Sequence, residues 1–216
     1  MTADDRLRVA ERLYEQAVFG GDDGALAESD RCLDAVEADL ALARGRVIHA
    51  RFLAEKAPAD GELELFERAD ALYERLADVR GRGEAQFWIG AYHQVVGGDG
   101  GAARPAFERS LELADQAGDL LTASYALRHL GIHDHQAGRL PEARARLEES
   151  TRLRRELGFD AGAAANLIGL AYLAAQQERH QDAVELLGEA EELAVGAEAG
   201  GVLGWIAGAR RDLGIG

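Results

Sequence analysis

Three histidines, His129, His133 and His135, fall within seven residues of one another, with Asp134 beside the last two. His129 and His133 are four apart, which on a helix sets both imidazoles on one face, a spacing that metal-ligand pairs often use. His93 lies upstream, and only the fold could bring it to the others. The chemistry on offer is metal binding, or a contact that changes with pH, since an unperturbed imidazole titrates at about 6.5. His135, however, is ~200° around a helix from His133. The chain has no His-Glu-x-x-His motif, and its one cysteine, Cys32, cannot supply a cysteine pair. Histidines that pack between helices or line a surface are the preferred reading. A small-ligand or metal pocket around His93, His129 and His133 is the alternative.

Other chemistry finds little support. Gly97-Gly98-Asp99-Gly100-Gly101 joins two helical segments and follows no strand, so it is not a phosphate loop. No serine stands in a nucleophile-elbow context. No catalytic residue and no cofactor is assigned, and the expectation is a protein that is not an enzyme. The run Arg152-Leu153-Arg154-Arg155 has Glu148, Glu149 and Glu156 around it and reads as a solvated helix face. The formal net charge of -15 opposes general binding to nucleic acid or anionic membranes. The start, Met-Thr-Ala-Asp-Asp-Arg, is polar, and no apolar run approaches the ~18 residues of a membrane span. A cytoplasmic protein is expected. Lys56 is the only lysine among the 24 basic residues, which fits a GC-rich bacterial source. Cys32 sits where a small packing residue belongs and is expected in the core.

The elements that must position these residues are helices. Apolar residues make up 47% of the chain, prolines number three, and no segment alternates as a strand would. Ala103, Ala143 and Ala183 are 40 apart, as are Phe107, Leu147 and Leu187, and Ser110, Ser150 and Ala190. Each trio forms one small-large-small helical face. Upstream of each stands a glycine after an aliphatic residue: Ile89-Gly90, Leu130-Gly131 and Ile168-Gly169. Such a glycine would let two helices approach closely, with the large residue filling the space around the contact. The pattern predicts one all-α domain over residues 1–216, an α-solenoid of about five antiparallel helix pairs. Residues 1–80 hold divergent pairs, 82–195 three clear repeats, and 199–214 a capping helix. In the first part, helices are expected from Ala3 with Thr2 as cap, from Ala25 to about Val36, from about Asp39 to Glu55, and after Gly61. Pro105 is expected in the first turn of its helix.

Ile168-Gly169-x2-Tyr172 followed by Ala183-x3-Leu187-x2-Ala190 resembles the tetratricopeptide repeat signature, and the two preceding units resemble it more loosely. The period of ~40 is longer than the family's ~34, as in the longer-helix variety common in bacterial regulators. The resemblance implies a right-handed array in which the first helix of each pair lines a concave groove. Counted from the glycines, the groove positions include Phe87, Gln94, Tyr125, Arg128, His135 and Asn166, with Arg51 from the first part. Arg128 beside Asn166 suits a peptide carboxylate through charge-assisted hydrogen bonds. The resemblance thus implies a binding scaffold or regulator whose partner is a protein or peptide. Self-association of the chain through Trp205 and Ile206 is a further option.

Overall fold

The computed structural model describes residues 2–215. They are 85% helical, with ten α-helices and no strand among the described residues. The helices are α1 (Ala3–Gly20), α2 (Ala25–Glu55), α3 (Glu62–Arg75), α4 (Val79–Ala91), α5 (Gly100–Ala117), α6 (Leu120–Gln136), α7 (Leu140–Glu156), α8 (Asp160–Gln176), α9 (His180–Gly196) and α10 (Gly200–Leu213). Tyr92–Val96, directly after α4, winds as a π-helical turn. The residues form two compact units that divide between Leu113 and Ala114. Inside each unit consecutive helices pack on one another, which is the helix-pair packing of an all-α solenoid. No helix among the described residues is long and apolar enough to cross a membrane.

One turn recurs through the chain. Gly98, Gly118, Gly138, Gly158, Glu178 and Glu198 all adopt positive φ, between 52° and 74°. They stand twenty residues apart. The amide that follows each of the last five donates to a carbonyl five residues back: Asp119 to Ala114, Arg139 to Asp134, Phe159 to Arg154, Arg179 to Ala174 and Ala199 to Ala194. This closure satisfies the orphan carbonyls at a helix end. Aspartates then start several helices. The Asp119 side chain accepts from the Leu121 and Thr122 amides, and Asp99 does the same for Ala102. Thr2 caps α1 in a reciprocal box with Asp5.

The close contacts fall at the expected glycines, with one difference. A Cβ on Gly90 would lie 2.7 Å from the Phe107 ring, and one on Gly131 would lie 3.1 Å from Leu147 Cγ and 3.2 Å from the Ala143 carbonyl oxygen. Gly169 faces Leu147 of α7, at 3.1 Å, rather than Leu187 of α9. The first unit uses the same device. A Cβ on Gly45 would meet the Phe66 ring at 2.4 Å, and one on Gly81 the Tyr73 ring at 2.5 Å. The serines of the repeated face add a hydrogen bond across each pair, from Ser110 to the Gly83 carbonyl and from Ser150 to the Ser124 carbonyl. Cys32 is buried, as its small-residue position requires.

Two expectations need correction. There is no break near Asp39: α2 runs unbroken for 31 residues. Neither glycine nor proline stands between Gly24 and Gly45, so nothing local stops the helix. It buries Ala25, Ser29 and Cys32 in its first part and Ala38, Ala41, Leu42, Gly45 and His49 further on. The first set serves α1, with Ser29 donating to the Ala10 carbonyl. The second packs with Phe66, Ala69 and Leu72 of α3. One helix therefore does the work expected of two. Pro105 also lies deeper than the first turn, because α5 starts at Gly100 under the Asp99 cap.

The repeating turn yields a test. Gly158→Ala puts a Cβ on a left-handed residue and is expected to lower the unfolding free energy by about 1 kcal/mol. Glu178→Gly removes one at the equivalent turn and is expected to leave stability unchanged or raise it by less than about 1 kcal/mol, the freer unfolded chain offsetting part of the gain. Urea unfolding of both variants measures this. Equal losses in the two would show that left-handed geometry does not govern these turns.

Candidate functional site

In the second unit, side-chain bridges tie the first helix of one pair to the first helix of the next. Arg128 Nη1 on α6 donates to the Ala165 carbonyl at 2.7 Å and to Asn166 Oδ1 at 3.0 Å, both on α8. His135 Nε2 on α6 lies 2.7 Å from Gln176 Oε1 on α8. Tyr172 of α8 donates to Asp212 of α10 at 2.7 Å. Burial and the Asp212 carboxylate push the Tyr172 phenol up to about 12. These contacts put α6, α8 and α10 side by side. Tyr125, Arg128, Ile132 and His135 of α6 and Tyr172 of α8 are all partly exposed.

Beneath Arg128 lies a polar network that has one member the sequence reading placed elsewhere. Arg154 belongs to the run expected to be a solvated face, yet it is only 1% exposed. Its neighbours do face water: Arg152 pairs with Glu149 and Glu156, and Arg155 with Glu189. Arg154 instead continues the packing face Ala143, Leu147, Ser150, at helical spacing. It stands 40 residues from Ala114 and from Ala194, both buried alanines. That register was available in the sequence, and the surrounding glutamates hid it.

The network closes around Asn166, which is fully buried. Its Nδ2 donates to Ser150 Oγ at 2.8 Å. Its Oδ1 accepts from Arg128 and, at 3.1 Å, from Arg154 Nη1. Arg154 also donates to the Gly162 carbonyl at 2.8 Å and to Ser124 Oγ at 3.3 Å. Its guanidinium carbon lies 4.8 Å from the Tyr125 ring centroid and 5.5 Å from that of Phe159. Gly162 is needed here, since a Cβ would meet the Phe159 ring at 2.4 Å and Arg154 Cδ at 3.0 Å. Burial pushes both guanidiniums down to about 10, and the charge of Arg128 adds to the effect on Arg154. Both stay charged at neutral pH. Tyr125 and Phe159 also wall a cleft of about 420 Å³, together with Leu121, Leu157 and Gly158.

The other candidates are dispersed. Phe87 is 5% exposed and packs on Trp88 and Phe107 in the interior of the first unit. Gln94 and His93 are half-buried in the π-helical turn, where His93 meets the Tyr92 ring edge-on at 5.6 Å. Arg51 is exposed on α2. His133 Nδ1 faces Arg139 Nη2 at 3.3 Å. Asp134 is buried against Arg139 and Arg146, at 2.6 and 2.5 Å. That carboxylate is committed to two guanidiniums, and no group of three His, Cys, Asp or Glu side chains among the described residues is placed to hold a metal ion. On α10, Ile206 is buried and Trp205 is 59% exposed.

The first unit holds a buried pair that sequence reasoning missed. His49 Nδ1 lies 2.7 Å from Glu62 Oε1, both side chains being buried, and Glu62 Oε2 has no hydrogen-bond partner. Trp88 covers the pair, its ring edge-on to His49 at 5.4 Å and stacked on Phe66 at 5.7 Å. The register was legible: Glu62, Phe66 and Ala69 precede Ala103, Phe107 and Ser110 by 41 residues each. Glu62 stands where the repeat has alanine, and His49 lies one turn beyond Gly45.

Residues 122–194 match the tetratricopeptide repeat family model. The match covers α6 to α9, two helix pairs that include Tyr125, Arg128, Arg154 and Asn166. No curated protein matches the chain.

The His49–Glu62 pair gives a second test. Glu62→Ala restores the repeat alanine but strands His49, and is expected to destabilise the protein by about 3 kcal/mol. The double variant His49→Leu/Glu62→Ala should recover most of that loss. A double-mutant cycle in urea measures the coupling, and additive losses would mean that the two side chains contribute separately.

Proposed function

We propose that this tetratricopeptide-repeat protein is a docking scaffold that receives a protein or peptide segment along the row α6, α8 and α10. Segments of this repeat type are generally protein-interaction scaffolds. The observation that carries the finer reading is the set of bridges between successive first helices, Arg128 to Asn166 and His135 to Gln176. They make a continuous strip of side chains whose spacing is fixed before any partner arrives, and preorganisation lowers the ordering cost of binding.

In this reading the side chains have different parts. Tyr125, Arg128 and His135 reach the surface and make contact. Asn166, being buried, sets the Arg128 guanidinium in place through Oδ1 and touches no partner. Tyr125 offers an apolar ring beside the cleft, Arg128 a charged donor, and His135 an imidazole already oriented by Gln176. The role is binding, and no chemical step is assigned to these residues. Phe87, Gln94 and Arg51 belong to the first unit and are not needed for it.

A pull-down from native cell lysate tests the proposal, with the double variant Arg128→Ala/His135→Ala as the control and mass spectrometry as the readout. The expected result is a protein or peptide retained by the wild type and reduced at least tenfold on the variant, with the variant's melting curve close to the wild type's. Equal retention of every captured species would remove α6 and α8 as the docking surface. Capture of a second copy of the chain, insensitive to these changes, would move the interface toward exposed Trp205.

A further inference from the structure

Helix α2 has three faces, and its neighbours take only two. Ala25, Ser29 and Cys32 lie on the face toward α1, and Ala38, Ala41 and Leu42 on the face toward α3. Leu26, Leu33, Leu40 and Val47 serve neither, and each is between 44% and 53% exposed. Single exposed leucines are common on protein surfaces. Four large apolar residues at intervals of seven are a different matter. Seven residues fall about 20° short of two full helical turns, so the four form one slowly drifting seam along about 32 Å of the rod. That is the spacing by which one helix packs along another.

The seam carries a second row. Four residues beyond each apolar position stand Asp30, Glu37, Arg44 and Arg51, all exposed. The row is acidic in its first half and basic in its second. Asp30, Arg44 and Arg51 have no ion-pair partner among the described residues. Glu37 meets Arg68 of α3 through Oε1 alone. This order of signs is self-complementary when the helix is turned end for end. A two-fold axis between Leu40 and Ala41 sets Asp30 level with Arg51 of a second copy and Glu37 level with Arg44, and each pair occurs twice. The same axis brings Leu40 beside its own equivalent and Leu33 within one residue of Val47. A second copy laid parallel would put carboxylate on carboxylate and guanidinium on guanidinium at all four levels.

We propose that this face of α2 is the contact surface for a second copy of the chain, packed antiparallel about that axis. The leucines and Val47 supply the apolar area withdrawn from water. The charged row sets direction and register, as flanking charges do between paired helices, and rejects the parallel arrangement. The net charge of -15 on each chain opposes association, and Arg44 and Arg51 place positive charge where the other copy brings Glu37 and Asp30. The continuity of α2 fits this use. A break near Asp39 would bend the seam at its midpoint, and the helix runs straight through that point. Such a contact uses the same patch on both copies and closes at two. It draws on no residue of the row α6, α8 and α10, so the two readings stand or fall separately.

Sedimentation equilibrium of the purified full chain is the test. The wild type is expected as a dimer at about 100 µM and low salt, dissociating as salt rises or the protein is diluted. Leu33→Glu/Leu40→Glu, at exposed positions, should be monomeric with an unchanged helical circular-dichroism spectrum. Arg44→Glu/Arg51→Glu makes the row wholly acidic, and Asp30→Arg/Glu37→Arg makes it wholly basic. Each alone should self-associate about tenfold more weakly or worse, and the two mixed should associate one to one. Nitroxide labels in a Cys32→Ala background give the direction. Labels on Ala27→Cys should lie about 40 Å apart in an antiparallel pair, and those on Ala43→Cys at less than half that separation. A wild type that stays monomeric at the same concentration, or a dimer that survives Leu33→Glu/Leu40→Glu, would overturn the surface. Loss of such a dimer in Trp205→Ser would move the contact to α10. Failure of the mixed variants to associate, or Ala27 labels no farther apart than Ala43 labels, would overturn the antiparallel pairing. A partner captured through Arg128 and His135 by a monomeric wild type would leave the docking row standing and remove the α2 contact.

Discussion

A backbone residue in the left-handed region, recurring every twenty positions, is the constraint on which the second half of this protein depends. It ends a helix and returns the chain, and the next helix starts two residues later. Because that interval is constant from α6 to α10, side chains at corresponding positions fall into rows. Arg128 can reach Asn166, His135 can reach Gln176 and Tyr172 can reach Asp212 only because their helices begin in step. Glycine occupies the earlier of these turns and glutamate the last two. The closing hydrogen bonds are the same in both, so backbone geometry rather than residue type is what repeats.

On that regular frame the interior carries an irregular patch. Flanking repeats place alanine at the position of Arg154, and an alanine there needs no partner. Arginine brings a charge, stacks it against Tyr125 and Phe159, and draws Ser124, Gly162 and Asn166 into service. Asn166 in turn holds Arg128 at the surface. The buried polar network therefore lies where the repeat is broken, and the unbroken remainder holds it in place. Glu62 in the first unit is a parallel case, a charged residue in an alanine position that is answered there by His49.

The architecture was legible because it follows from periodicities that a single sequence displays: small-large-small faces 40 residues apart, glycines at close approaches, and glycine-rich turns. Arg128 beside Asn166 was legible for the same reason, since both lie three residues before a repeat glycine. What escaped was the depth of each residue. Counting from a glycine gives an angle around a helix, not the number of layers outside it, and so Phe87 and Asn166 were expected at a surface. Arg154 was read by its charged neighbours in the chain when its register with Ala114 and Ala194 decided its fate. The supposed break near Asp39 came from an apolar stripe that changes face along α2. A helix that serves two partners in succession gives that signal without any bend.

The continuity of α2 has a mechanical side. Thirty-one helical residues form a rod of about 46 Å. In the second unit each helix is about half that length and ends in a turn, where a small change of angle can be absorbed. α2 offers no such joint between the residues that pack on α1 and those that surround His49 and Trp88. Displacement of α1 cannot be taken up locally, and the face beside Trp88 must move with it or the rod must unwind. The first part of the chain is thereby stiffened along one axis, as a splint stiffens two bones that would otherwise flex.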